Sequence, residues 1–293
     1  TWLTGSFTGT AEFGSTSLTS SGSDDIFVAL MATNGTWSWA VKVGGSYSDS
    51  GFDIAIGKDG DAYVTGEFRG SASFGSTSLS SSGDVDVFVA KIDSDGIWQW
   101  AEKAGGSSTD IGQAIALDPD DDVYVTGIFY GTASFGSTSL ISSGSNDIFV
   151  IKLNSAGSWQ WAKKGGGSSS SSCPCDYSYG IAVDANGSSY VTGAFKGTGT
   201  FGSTSLSNSG AFDAFVAKIS DSGSWLWAKA AGSSSEDIGR SITLDVDENV
   251  WVTGSFVGTV SFGSTSLVSN GSIDDIFVAN LSATGSWQGA WKG

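Results

Sequence analysis

Three observations predict an all-β repeat fold for this chain of 293 residues. One hexapeptide, FGSTSL, is spelled five times without change. The segments between its copies repeat in step with it. No stretch shows helical spacing. Every apolar word is short, β-branched or aromatic, and bounded by Gly, Asp, Asn or Ser, which is the strand signature.

The period comes first. The opening residues of FGSTSL are Phe13, Phe74, Phe135, Phe201 and Phe262, at intervals of 61, 61, 66 and 61. Recurrence on this scale marks a repeat architecture. Four further words keep the same beat. IAI and its variants begin at 54, 115, 181 and 242. VTG stands at 64–66, 125–127, 191–193 and 252–254, with LTG at 3–5. FVA stands at 27–29, 88–90, 215–217 and 277–279, with FVI at 149–151. Paired tryptophans close each unit at 37–39, 98–100, 159–161 and 225–227, and the fifth copy reads WQGAW at 287–291. In such a WxW strand both indoles point to one face, because strand side chains alternate.

Turn chemistry joins these words. Segments such as GKDGDAY and DANGSSY link IAI to VTG, and DSDGIW or TNGTW link FVA to WxW. Their Asn-Gly, Asp-Gly and Ser-Gly pairs supply the positive φ of tight hairpins. Each unit therefore reads as four antiparallel strands in the order IAI, VTG, FVA, WxW. Five such units are expected to form a five-bladed β-propeller, the radial answer to unprotected sheet edges. The rival reading is an open β-solenoid, which usually has shorter repeats and needs distinct caps. The blades run over about 1–53, 54–114, 115–180, 181–241 and 242–293, as one domain with the termini meeting in one blade. IAI has only four copies, so the first blade is expected to lack an innermost strand of its own.

The string DIGQAIALDPDDDVYVTGIFYGTASFGSTSLISSGSNDIFVIKL resembles the bacterial β-propeller repeats of the SBBP type, and the likeness covers nearly the whole chain. The resemblance implies a propeller fold and an extracellular or cell-surface setting. It implies no catalytic residues.

Composition narrows the function. There are 13 basic and 30 acidic residues, for a formal net charge of −17. That argues against nucleic acid and against anionic membrane surfaces. No apolar run is long enough to span a bilayer. The chain starts at Thr1, which fits a processed product or an excerpt. Histidine is absent, which removes the commonest general base and the usual Ser–His nucleophile. No enzyme is expected.

Candidate sites follow from the loops. The long VTG–FVA connection carries FGSTSL, and long loops bind more often than tight hairpins. Its hydroxyls are Ser15, Thr16, Ser76, Thr77, Ser137, Thr138, Ser203, Thr204, Ser264 and Thr265. Phe and Leu are expected to anchor this loop, with Gly-Ser-Thr-Ser turning between them. The five extra residues of the third interval fall in the loop 165–180, with Cys173, Cys175, Tyr177 and Tyr179. A contact loop, an intermolecular disulfide and a small metal clip are the functional readings there; a tolerated insertion is the bland one. A Cys173–Cys175 bond would be strained.

One aspartate series (Asp25, Asp86, Asp147, Asp213, Asp275) precedes the FVA phenylalanines, and a second (Asp49, Asp110, Asp176, Asp237) precedes the IAI strands. A Ca²⁺-binding ring is one reading, and backbone N–H acceptance at turns is the preferred one. The acidic turns with Asp118, Asp120, Asp122, Asp245 and Asp247 resemble half of a calcium loop but lack its Gly and distal Glu. No other cofactor is implied. The tryptophan pairs read as packing between blades rather than sugar platforms. The sequons at Asn34, Asn186, Asn270 and Asn280 arise readily by chance in a Ser/Thr-rich chain.

The expectation is thus a non-enzymatic extracellular structural or adhesive scaffold, a subunit of a surface fibre that self-associates or meets other surface proteins. The alternative is a carbohydrate-binding propeller with repeated sites for glycans on the loop face.

Overall fold

The computed structural model describes residues 1–167, 176–271 and 273–293. Among these are 25 strands and no helix. No helix is therefore long and apolar enough to cross a membrane. The chain divides into two compact units. One comprises Thr1–Val125, Thr132–Ile141 and Ile151–Gln160; the other comprises Thr126–Gly131, Ser142–Val150 and Trp161–Gly293.

In the first unit, repeat one is a three-stranded sheet of Trp2–Phe13, Thr16–Met31 and Trp37–Val43. Repeat two adds the missing kind of strand, pairing Ser50–Ile56, Ala62–Phe68, Asp86–Ile92 and Trp98–Gly106 in that order. In the second unit, repeat four pairs Asp176–Val183, Ser189–Phe195, Asp213–Ile219 and Trp225–Ala231. Repeat five pairs Asp237–Leu244, Val250–Phe256, Asp275–Leu281 and Trp287–Lys292. The sequence order IAI, VTG, FVA, WxW is the spatial order in each. Repeat three has the corresponding strands Asp110–Leu117, Val123–Phe135, Thr138–Leu153 and Trp159–Gly165, and its residues are divided between the units.

The word VTG has a physical reason in every repeat. Its glycine lies under the FVA phenylalanine. A Cβ on Gly66 would stand 2.9 Å from the Phe88 ring and 2.0 Å from the Ser50 carbonyl oxygen. Gly193 and Gly254 face Phe215 and Phe277 at 2.8 Å in the same way. Its threonine donates to the carbonyl of that phenylalanine: Thr65 to Phe88 at 2.9 Å, Thr192 to Phe215 at 2.8 Å, Thr253 to Phe277 at 2.9 Å. Buried hydroxyls are tolerated only when bonded in this way.

Successive repeats stack sheet on sheet. In the first unit, Ile26 and Val28 of repeat one join Val64, Phe68, Phe74 and Phe88 of repeat two in one core. In the second, Val216 of repeat four joins Ile242, Val252, Phe256 and Phe277 of repeat five. The IAI strand comes close to the VTG strand of the repeat before it. A Cβ on Gly51 would meet Thr4 Oγ1 at 2.4 Å, and one on Gly239 would meet Thr192 Oγ1 at 2.1 Å. Ser178 takes this place in repeat four and bonds Thr126 Oγ1 at 2.9 Å instead.

Candidate functional site

FGSTSL is a β-hairpin, which corrects the expectation of a loop. Phe74 pairs Thr77, Ala72 pairs Leu79 and Ser71 pairs Ser80. Repeats four and five pair identically. Only Gly-Ser forms the turn; Thr and the following Ser are strand residues. The glycine alone has positive φ, 59° at Gly75 and 61° at Gly263, which is the type II′ hairpin pattern. The anchors are as expected: Phe74, Phe135, Phe201 and Phe262 are buried, and Leu79 and Leu267 pack against the cores. Ser15, Ser76, Ser137, Ser203 and Ser264 sit exposed at the five turns, and Thr16, Thr77, Thr138, Thr204 and Thr265 are half-buried beside them. The hairpins thus present repeated hydroxyls on rigid strands.

The indoles explain the fivefold identity. The first tryptophan of each pair packs against its own hairpin. Phe74 meets Trp98 edge-on at 5.1 Å, and Phe201 meets Trp225 at 5.2 Å. A Cβ on Gly75 would lie 3.4 Å from Trp98. The second tryptophan locks onto the FVA–WxW turn of the next repeat. Trp39 Nε1 donates to Ser94 O at 2.9 Å, Trp100 to Ser155 O at 3.1 Å, and Trp227 to Ala283 O at 3.2 Å. Gly96, Gly157 and Gly285 lie flat on those indoles. These rings are walls of the protein rather than open platforms.

The two aspartate series are buried, apart from the half-buried Asp275, and tie turns to strands. Asp25, Asp86, Asp147 and Asp213 accept the N–H of Ser21, Ser82, Ser143 and Ser209. Asp49 accepts Gly45 N–H and Arg69 N–H, each at 2.9 Å. The series also face each other. A Cβ on Gly105 would stand 2.7 Å from Asp86 Oδ1 and 2.9 Å from Asp110 Oδ2. Burial pushes Asp49 up to about 6, with the Asp25 charge adding to it. Burial and then the Asp147 charge push Asp176 up to about 7. Lysines from the WxW strand partly neutralise the first series: Lys42 to Asp25 at 2.8 Å and Lys164 to Asp147 at 3.1 Å.

In the acidic turns considered for Ca²⁺, Asp118 and Asp245 direct their carboxylates inward to the turn, and Asp120 is exposed. Asp118 Oδ1 accepts the N–H of Asp120 and Asp122, and its Oδ2 accepts Tyr124 Oη–H at 3.2 Å. Lys152 bridges Asp118 and Asp122 at 3.4 and 3.0 Å. Asp245 likewise accepts Asp247 N–H and Asn249 N–H on Oδ1 and Trp251 Nε1–H on Oδ2. Among the described residues, no group of three or more His, Cys, Asp or Glu is placed to hold a metal.

Tyr177 and Tyr179 belong to the strand Asp176–Val183 and not to a loop. Tyr177 pairs Ala194, and two alternate strand positions bring both rings to one face, stacked at 5.8 Å. Arg240 caps Tyr179 at 4.9 Å. Cys173 and Cys175 lie outside the described residues. Sequence reasoning missed one concavity, a cleft of about 500 Å³ at the turns of repeats two and three. In the turn of repeat two, Gly57 stands where the sister turns have Asp118, Asp184 and Asp245.

No family model matches the chain, so none supports the SBBP-type resemblance. An uncharacterized WD repeat-containing protein, L264 of Acanthamoeba polyphaga mimivirus, is 25% identical over 275 residues, covering 76% of this chain and 19% of that protein. The chain thus spans about a fifth of that relative's length. The chain has β-propeller repeat character. Among solved structures, a protein of unknown function from Bacteroides caccae matches with a TM-score of 0.43 at 10% identity, over 99% of this chain and 94% of that one. The GH43 protein BlXynB from Bacillus licheniformis matches with a TM-score of 0.35 at 11% identity, over 97% and 55%. Both likenesses are remote.

Proposed function

We propose that this chain is a non-enzymatic, five-bladed propeller-type scaffold of the cell exterior that joins further copies of itself through its repeat faces. One observation carries the reading. The FVA strand of repeat five exposes Ile276 by 60% and Val278 by 39%. The matching residues of repeat four, Ala214 and Val216, are exposed by only 4% and 2%, because the IAI strand of repeat five covers them. The uncovered face is extended by Trp291, 52% exposed and stacked on Trp251 at 5.8 Å. In the first unit, taken by itself, Leu3 and Phe7 of repeat one are half-buried, whereas their counterparts Val64 and Phe68 are fully buried against the preceding sheet. Apolar faces of this kind mark interaction surfaces, and the contact that covers them within the chain is another repeat.

The hydroxyl-bearing hairpins fit the same role, as rigid polar decoration on a scaffold. The reading is tested by sedimentation velocity over a range of protein concentrations, with wild type and the double variant Ile276→Asp/Val278→Asp. Concentration-dependent assemblies that vanish in the variant are expected. A wild type that stays monomeric, with a variant that melts early, would instead mean that the two faces close on each other within one chain.

A further inference from the structure

Repeat five departs from its sisters in the exposed loop that precedes its FVA strand. In each repeat the N–H of one loop residue caps the aspartate that opens this strand. That residue is Ser21, Ser82, Ser143 and Ser209 in repeats one to four, and Asn270 in repeat five. Where a lysine faces the serine, its ammonium donates to the hydroxyl: Lys42 to Ser21, Lys103 to Ser82 and Lys164 to Ser143. In repeat five the ammonium of Lys292 donates instead to the side-chain carbonyl, Asn270 Oδ1, at 3.0 Å. Asp275 holds both partners. Its Oδ2 accepts Asn270 N–H at 2.8 Å and stands 3.3 Å from Lys292 Nζ. The residue after Asn270 is Gly271, whose missing Cβ leaves its nitrogen unhindered beside the amide carbon.

The chain holds three Asn-Gly pairs, so two serve as references. Asn34–Gly35 and Asn186–Gly187 sit at the tips of closed hairpins. Ala32 N–H bonds Thr36 O at 2.8 Å, and Gly35 N–H bonds Ala32 O at 3.0 Å. Asp184 N–H bonds Ser188 O at 2.9 Å, and Gly187 N–H bonds Asp184 O at 3.0 Å. These bonds fix the backbone on both sides of each amide. Asn34 Oδ1 accepts from Thr36, a neutral donor. Asn270 and Gly271 lie exposed between two strands, where Gly271 N–H meets Ser269 O at 3.1 Å in a three-residue turn. Asn270 thus combines a less constrained backbone with a charged donor on its carbonyl.

We propose that Asn270 is a self-modification site, at which the chain converts its own amide to a carboxylate through a cyclic imide with Lys292 holding the developing oxyanion. The Gly271 nitrogen forms a bond to Asn270 Cγ, and the Cγ–Nδ2 bond breaks. The side-chain nitrogen leaves as ammonia, carrying the proton of the Gly271 amide. Water then opens the ring to aspartate or its β-linked isomer. Negative charge collects on Oδ1 as the first bond forms, and the ammonium already stands there. The product places a second carboxylate against Lys292 and beside Asp275, at the entry of the strand that exposes Ile276 and Val278. The conversion is independent of the scaffold reading.

The test is peptide mapping by mass spectrometry of the full chain during mildly alkaline incubation, following the amide-to-acid mass gain at all three asparagines. An oxyanion donor in an enclosed site is worth about 10²–10³ in rate, and in this open loop roughly three- to tenfold is expected. Asn270 should therefore convert faster than Asn34 and Asn186 by at least about threefold. Lys292→Met should slow Asn270 by a similar factor, while Lys292→Arg, which keeps a charged donor, should stay near wild type. Asn34 and Asn186 report on folding in every variant, since loss of structure would speed them too. Asn270→Ser, the residue of the sister repeats, should abolish the mass gain in its peptide. An Asn270 that converts no faster than the two hairpin asparagines, or whose rate is unchanged in Lys292→Met, would overturn the proposal.

Discussion

Asp213 and Ala230 occupy positions that the other four repeats fill with an aspartate and a lysine. Asp25 has Lys42, Asp86 has Lys103, Asp147 has Lys164 and Asp275 has Lys292. Ala230 pairs Phe215, just as Lys42 pairs Phe27 and Lys103 pairs Phe88. Among the described residues Asp213 therefore accepts Ser209 N–H alone, and burial, with the Asp237 charge behind it, pushes it up to about 6. Ala230→Lys should restore the pair and stabilise the fold by about 1 kcal/mol at pH 7, since one partner is buried and the other is not. Thermal melts at pH 7 and pH 4 check this, because the gain should shrink once Asp213 is protonated.

Acidification should stabilise the native chain before it harms it. Asp49, Asp176 and Asp213 are held at about 6, 7 and 6, above the ordinary carboxylate value near 4. Between those values and about pH 4 the native state binds protons that the unfolded chain does not, so stability rises as pH falls. Below about pH 4 the unfolded carboxylates protonate too, and the gain ends. Asp245 works the other way: Trp251 and Asn249 hold it at about 2, so its contribution is lost as pH falls from about 4 towards 2. The melting temperature at pH 5 should exceed that at pH 7 by several degrees, and Asp213→Asn should flatten the rise. A melting temperature that drops steadily from pH 7 to pH 5 rejects the assignment.

The FGSTSL glycine can be tested within the protein. Gly75→Ala places a Cβ at positive φ, 3.4 Å from Trp98, and should cost about 1–2 kcal/mol. Gly136→Ala meets the same backbone constraint, but its Cβ would stand 2.5 Å from Trp159 Cγ. It should cost distinctly more, since the indole must move. Ser76→Ala, on an exposed tip, should cost almost nothing. Urea unfolding of the three variants gives the order directly, and equal losses for the two glycines would mean that only the backbone matters.

Much of this architecture was legible because the repeat averages out noise. The four words VTG, FVA, WxW and IAI each encode a strand, and their order in sequence is their order in the sheet. The hairpin of FGSTSL escaped notice because Ser-Thr-Ser carries no apolar alternation of its own. Its period appears only when Ala72, Phe74 and Leu79 are read together across the turn. The buried aspartates were readable as turn acceptors. That Asp86 and Asp110 converge on Gly105 was not, because strand pairing brings together residues 24 positions apart. Tyr177 and Tyr179 read from sequence as part of the long loop, because strand β-propensity cannot mark where an insertion ends. The cleft is lined by turns of two successive repeats, and no motif marks where two turns meet. The glycine at position 57 shows only when the four IAI–VTG turns are compared one against another.

That comparison gives a last prediction. Asp184 is the cap that repeat two lacks. Its Oδ1 accepts Asn186 N–H and Ser188 N–H, and its Oδ2 meets Tyr190 Oη at 3.2 Å and Lys218 Nζ at 3.1 Å. Burial alone would raise this carboxyl, yet the N–H of Ser188 and the Lys218 charge outweigh it and hold it below the ordinary value. Asp184→Gly should therefore give repeat four the uncapped turn sequence that repeat two has at Gly57. It would strip two backbone donors, leave the Tyr190 hydroxyl with Lys218 alone, and unpair that lysine, whose side chain is only 12% exposed. The loss should be about 2–3 kcal/mol, read from the urea midpoint at unchanged slope. Asp184→Asn keeps the Oδ1 acceptor and loses only the charge, so it should fall between the variant and wild type. If Asp184→Gly costs less than Asp184→Asn, the aspartate is not the cap.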